Sequence, residues 1–112
     1  MRNILFVCSA NVDRSKTAED FFAEQFNQFA FRSAGTNKTT CQKEGTNFLD
    51  QETIDWSDRI FVMENKHKQW IYDNLKPGSK EITVLNIEDK YTYYSIKLIE
   101  LLQQKCNRYF DV

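Results

Sequence analysis

The sequence predicts a single α/β domain in three layers, a four-stranded parallel sheet with helices on both faces. Two observations carry the prediction. Short apolar runs at Ile4-Leu5-Phe6-Val7, Phe29-Ala30-Phe31, Ile60-Phe61-Val62-Met63 and Ile82-Thr83-Val84-Leu85 alternate with longer stretches of helical spacing, the pattern of strands joined by crossover helices. At 112 residues, 41% hydrophobic and 14% aromatic, the chain has material for one core. No repeat, low-complexity tract or linker divides it, so residues 1–112 are expected to be one domain.

Each element has its own justification. Residues 3–7 are apolar without interruption, which suits a strand buried on both faces. Residues 15–28 read as a helix with Ala18, Phe21, Phe22, Ala23 and Phe26 near one face and Glu19, Glu24 and Gln25 opposite. Residues 29–33 form the second strand, and Gly35 is expected to end it at a turn. Residues 36–47 are rich in Thr, Asn, Lys and Gln and read as a loop, followed by a short helix that takes in Phe48, Leu49 and Ile54. Residues 59–63 are the third strand, 65–75 a helix, Pro77-Gly78 a turn and 82–85 the fourth strand. A last helix over 95–107 sets Ile96, Ile99, Leu102 and Cys106 at steps of three and four.

Charge and cysteine content narrow the function. Fifteen basic and sixteen acidic residues, a net charge of −1, give no electrostatic case for nucleic acid or an anionic membrane as partner. The apolar N-terminal stretch stops at Ala10, too short for a membrane span and unlike a signal peptide. Three cysteines at 8, 41 and 106, without metal spacing and odd in number, fit a reducing compartment, so a cytoplasmic location is expected. The aromatic load, nine Phe, five Tyr and two Trp, is expected to fill the core rather than stack on bases.

The chemistry is concentrated in Cys8-Ser9-Ala10-Asn11-Val12-Asp13-Arg14-Ser15. A strand delivers a cysteine into a tight loop whose peptide N–H groups follow the sulfur, and a helix N-terminus points its positive end at the same spot. Arg14 adds a planar guanidinium suited to bidentate contact with phosphoryl oxygens. A thiolate beside an oxyanion cradle suits phosphoryl transfer through cysteine. Asn11 tolerates a left-handed backbone and reads as a brace for the loop.

These residues resemble the signature of the low-molecular-weight protein tyrosine phosphatases, C-x5-R-S after the first strand. Thr17-Ala18-Glu19, Ser33-Ala34-Gly35-Thr36, Asp58-Arg59-Ile60-Phe61-Val62-Met63-Glu64 and His67 extend the match along nearly the whole chain. The resemblance is closest to a compact subgroup with a short segment between the second and third strands. It implies a phosphotyrosine protein phosphatase I-like fold with flavodoxin-like strand order, which sets the loop beyond the carboxyl end of the first strand where the order reverses. It implies Cys8 as nucleophile, Arg14 as phosphate grip, and Ser15 as hydroxyl donor to the thiolate. Ser9, Ala10, Asn11, Val12, Asp13, Arg14 and Ser15 would bind the phosphate, with no metal and no cofactor. The substrate would be a phosphorylated protein or a small phosphate ester.

The general acid of the family is an Asp in an Asp-Pro-Tyr loop after the fourth strand. Here the matching stretch is Ile87-Glu88-Asp89-Lys90-Tyr91. Asp89 aligns with the acid, Tyr91 with the substrate-side tyrosine and Lys90 with the proline, while Glu88 is the neighbouring candidate. Tyr91, Tyr93 and Tyr94 could flank the cleft or pack the last helix. Asp13 stands where longer members have a second cysteine, and Ala10 where many have glycine. A carboxylate at 13 opposes a bound dianion unless it faces solvent. His67, the only histidine, is far in sequence from both loops and reads as structural. Two alternatives to hydrolysis remain open at this point: a non-catalytic phosphate-binding module on the same fold, and arsenate reduction, for which Cys41 and Cys106 would have to meet in space.

Overall fold

The structure, a computed structural model, describes residues 2–110; Met1, Asp111 and Val112, which the domain expectation includes, lie outside them. Its elements run β1 Arg2–Cys8, α1 Arg14–Gln25, β2 Phe29–Gly35, α2 Lys38–Glu44, α3 Gln51–Trp56, β3 Arg59–Val62, α4 Asn65–Asn74, β4 Ile82–Val84 and α5 Ile96–Phe110. All four strands are parallel, in the order β2-β1-β3-β4. β1 is therefore interior, with its successor on one side and β3 on the other. Its carboxyl end is the point where strand order reverses, and parallel sheets bind ligands there.

Alternation along β1 divides the core between two faces. Ile4, Phe6 and Cys8 turn toward Ala18 and Phe22 of α1 and Leu98, Leu102, Cys106 and Phe110 of α5. Leu5 and Val7 turn the other way, onto Leu49, Ile54 of α3 and Ile71 of α4. The aromatic content is packing material, as expected. Phe110 has its ring centroid 5.1 Å from Phe22, 5.3 Å from Phe31, 5.4 Å from Phe29, 5.6 Å from Phe26 and 5.9 Å from Phe61. Among the described residues no helix is long and apolar enough to cross a membrane.

Four local expectations are corrected. The stretch read as a loop over 36–47 contains α2, capped by the Asn37 side chain, which accepts from the Thr40 N–H, and closed by Gly45 at φ 70°. Phe48 and Leu49 precede α3 rather than belonging to it; Gly35 and Phe48 form an isolated parallel bridge. α1 ends at Gln25, and Ala23 is exposed. α5 buries Leu98, Leu102, Cys106 and Phe110, whereas Ile96 at its start is 79% exposed.

Gly35 also differs from expectation, because it makes a close approach rather than a turn. A Cβ there would overlap the Ser9 carbonyl oxygen and sit 2.7 Å from Cys41 Sγ. Only glycine lets the end of β2 lie against the loop that follows β1.

Candidate active site

The site is assembled from the ends of elements. β1 ends at Cys8, α1 begins at Arg14, and residues 9–13 arch between them. Asn11, at φ 59°, takes the left-handed conformation that lets the arch close.

The loop carbonyls are held from behind. The Thr36 N–H donates to Cys8 O at 3.0 Å, the Asn37 N–H to Ser9 O at 3.0 Å, and the Thr46 hydroxyl to Ala10 O at 2.6 Å. In a trans peptide the C=O and the next N–H point in opposite directions. The N–H groups of Ser9, Ala10 and Asn11 are therefore turned to the inner side of the arch. The Asn11 N–H donates to Cys8 Sγ at 3.2 Å, in agreement with that orientation.

Asn11 also organises the sulfur through its side chain. Its Oδ1 accepts the Asn47 N–H at 3.2 Å, which fixes the amide so that Nδ2 donates to Ser15 Oγ at 2.8 Å and Ser33 Oγ at 2.9 Å. Ser33 in turn donates to Glu19 at 2.5 Å. With its oxygen already accepting from Asn11, the Ser15 hydroxyl has its proton free for Cys8 Sγ, 2.9 Å away. The thiol is buried, as are Asn11, Arg14 and Ser15.

Arg14 is 2% exposed, and its Nη1 donates to Glu64 Oε2 at 2.5 Å and to Ile87 O at 2.8 Å. Its Nε lies 3.6 Å from Asp89 Oδ1. The loop after β4 thus brings Asp89 to the arginine; Asp89 and Glu88 are both exposed, and among the described residues Glu88 makes no ion pair with Arg14. Burial works to raise the Glu64 carboxyl, but the hydrogen bond and charge of Arg14 outweigh it and hold the group below its ordinary 4.5. A carboxylate there aims the guanidinium and offsets part of its charge.

His67 is far from the loop in sequence but not in space. The Glu64 N–H donates to its Nδ1 at 3.0 Å, so the ring proton is on Nε2, which donates to Ser9 Oγ at 2.9 Å. Burial and then the Arg14 charge push its pKa from 6.5 to about 4. His67 is consequently a neutral donor that fixes the side chain after the cysteine.

Asp13 occupies the N-cap position of α1 with no side-chain cap bond and is half-buried, as is Val12. Tyr91 is half-buried against the core, with Lys90 Nζ 5.5 Å from its ring centroid. Tyr94 packs edge-on against Phe21, 6.4 Å between centroids. Tyr93 is the tyrosine that lines a cleft of about 550 Å³ beside the loop, shared with Asn11, Val12 and Lys16. Glu64 was not legible as a site residue, although the short Met63-Glu64-x-x-His67 run was the available signal for both it and His67.

A buried thiol at a strand end, an arch of inward peptide donors and a buried arginine at a helix start are the parts that cysteine-based phosphate chemistry requires, brought together on a parallel α/β sheet. Residues 3–60 match the model of the family described as low molecular weight phosphotyrosine protein phosphatase. This is over half of the chain, which belongs to that family. It is a cysteine-dependent phosphatase, a hydrolase of phosphate monoesters, and phosphorylated compounds are its substrates.

A search of curated protein sequences returned no match. Solved structures share the fold. Wzb of Vibrio vulnificus, in complex with benzylphosphonate, is 17% identical with a TM-score of 0.81, covering 98% of this chain and 97% of its own. Wzb of Escherichia coli K30, in complex with phosphate, is 18% identical with a TM-score of 0.78, covering 99% and 98%. The YwlE arginine phosphatase of Geobacillus stearothermophilus is 20% identical with a TM-score of 0.67, covering 97% and 95%.

Proposed function

We propose that the chain hydrolyses phosphotyrosine in proteins, with Cys8 as nucleophile, Arg14 as phosphate grip and Asp89 as general acid. The observation that carries this reading is the arginine. Its Nη1 is committed to Glu64 and Ile87, and Asp89 lies 3.6 Å from Nε. The Nε/Nη2 edge is the one left for a bidentate grip on two phosphoryl oxygens, with the acid beside it.

In the first step the Cys8 thiolate attacks phosphorus in line. The S–P bond forms as the P–O ester bond breaks, and the Asp89 proton goes to the leaving oxygen. In the second step a water gives its proton to the Asp89 carboxylate and attacks the phosphocysteine, releasing inorganic phosphate and the thiolate, which the Ser15 hydroxyl receives. The inward N–H groups and Arg14 offset the charge on the equatorial oxygens throughout. Val12 and Tyr93, on the cleft beside Asn11, offer an apolar edge to an aromatic leaving group. A cytoplasmic setting is part of the proposal, supported by the free thiols Cys8, Cys41 and Cys106.

The test is hydrolysis of para-nitrophenyl phosphate and of phosphotyrosyl and phosphoarginyl peptides. Cys8→Ser is expected to abolish turnover, Arg14→Ala to lose both turnover and phosphate affinity, and Asp89→Asn to lower kcat by roughly 10²–10⁴-fold. Binding of phosphate without turnover would overturn the enzyme reading, and preference for the phosphoarginyl peptide would overturn the phosphotyrosine one.

A further inference from the structure

We infer that the phosphate site continues, on the Ser9 side, into a subsite for a carboxylate that flanks the phosphorylated residue of a peptide substrate, with Lys38 and Lys66 as its cationic walls and Trp70 as its apolar one. The inference deepens the phosphatase reading above and rests on it. An open cleft of about 420 Å³ is lined by Ser9, Thr36, Asn37, Lys38, Lys66 and Trp70. Ser9 is the residue after the nucleophile, so this cleft begins one residue from Cys8. Neighbouring residues of an extended peptide lie within about 3.5 Å per residue of the phosphorylated one.

The lining is organised for an anion. Lys38 opens α2 and Lys66 lies in the first turn of α4, and both are exposed. Lys38 has no carboxylate within ion-pair distance among the described residues, whereas Lys66 Nζ is 3.9 Å from Glu64 Oε2. That carboxylate is only 2.5 Å from Arg14 Nη1, so its charge belongs mainly to the arginine. Trp70 follows Lys66 by one turn, and its ring is held edge-on by Phe48, 5.8 Å between centroids at 78°. His67 fixes the Ser9 hydroxyl on the cleft floor. The Thr36 and Asn37 N–H groups are already spent on the Cys8 and Ser9 carbonyls, which leaves the Lys38 and Lys66 ammonium groups, the second shared at 3.9 Å with Glu64, as the cationic groups of this lining. A positive rim on a chain of net charge −1 is a local arrangement that selects among peptides rather than a general attraction to anions.

The experiment compares kcat/KM for matched phosphotyrosyl peptides carrying Glu or Gln on both flanks, at low and at physiological ionic strength, alongside para-nitrophenyl phosphate. The wild type is expected to prefer the Glu peptide roughly two- to thirtyfold at low salt, the range of two exposed ion pairs. That preference should shrink as salt rises. Lys38→Glu with Lys66→Glu should reverse it, and Lys38→Arg with Lys66→Arg should keep it. Because each protein is read as a ratio between two peptides, a general loss of activity does not mimic the result. A ratio of one in the wild type, or a ratio unchanged in the Glu variant, overturns the subsite while para-nitrophenyl phosphate turnover leaves the phosphatase standing. Absence of turnover on every substrate overturns both.

Discussion

Asn11 shows how much one side chain contributes to the site. It combines a backbone at φ 59° with three side-chain hydrogen bonds, to Asn47, Ser15 and Ser33. Asn11→Gly keeps the conformation and removes the amide; Asn11→Ala removes both. Both variants are expected to lose kcat, and Asn11→Ala to be the less stable in urea, with losses of about 1–3 kcal/mol for partners left unpaired. Gly35→Ala is expected to push Ser9 and Cys41 away from the strand end, at about 1–3 kcal/mol of overpacking. Displacing the loop should also lower kcat roughly tenfold or more, read with para-nitrophenyl phosphate. His67 gives a pH signature. Its folded pKa of about 4 lies below the ordinary 6.5, so the unfolded chain takes up the proton first as pH falls. Its contribution is therefore complete above pH 6.5, declines as pH drops toward 4 and is gone below that, roughly 3 kcal/mol in all. Denaturant midpoints of His67→Gln should fall less over that window than those of the wild type.

At the scale of elements, what was legible in the sequence follows from burial. β1, the loop after it and α1 could be read because an uninterrupted apolar run, a cysteine and an arginine six positions on leave few alternatives. α2 could not, because Cys41 is its only buried residue and one buried side chain creates no periodicity. Its signals were the caps, Asn37 before it and Gly45 after it. Glu64 and His67 were missed as site residues for a different reason: their partners Arg14 and Ser9 are 50 and 58 positions away, a distance that local patterns do not span. α5 was found as a helix but with its apolar face extended to the wrong start, since Ile96 is exposed and Phe110 carries the packing instead. Phe110→Ala should cost about 3–5 kcal/mol in urea denaturation, a large share of the stability of a small domain.

The molecule as a whole couples its stability to its ligand, because the cradle joins β1, α1, the segment around α2 and the loop after β4. Saturating vanadate or phosphate, at about 100 times Kd, is expected to stabilise the fold by about 2.7 kcal/mol. The shift should vanish in Arg14→Ala, and calorimetry would read both. That same breadth sets an order of events during synthesis. Cys8, the proposed nucleophile, is made well before the carbonyl that aims Arg14, which belongs to Ile87, and before the proposed acid, Asp89. A nascent chain therefore carries that thiol past the synthesis of β2, β3 and β4 before the parts that would put it to use exist.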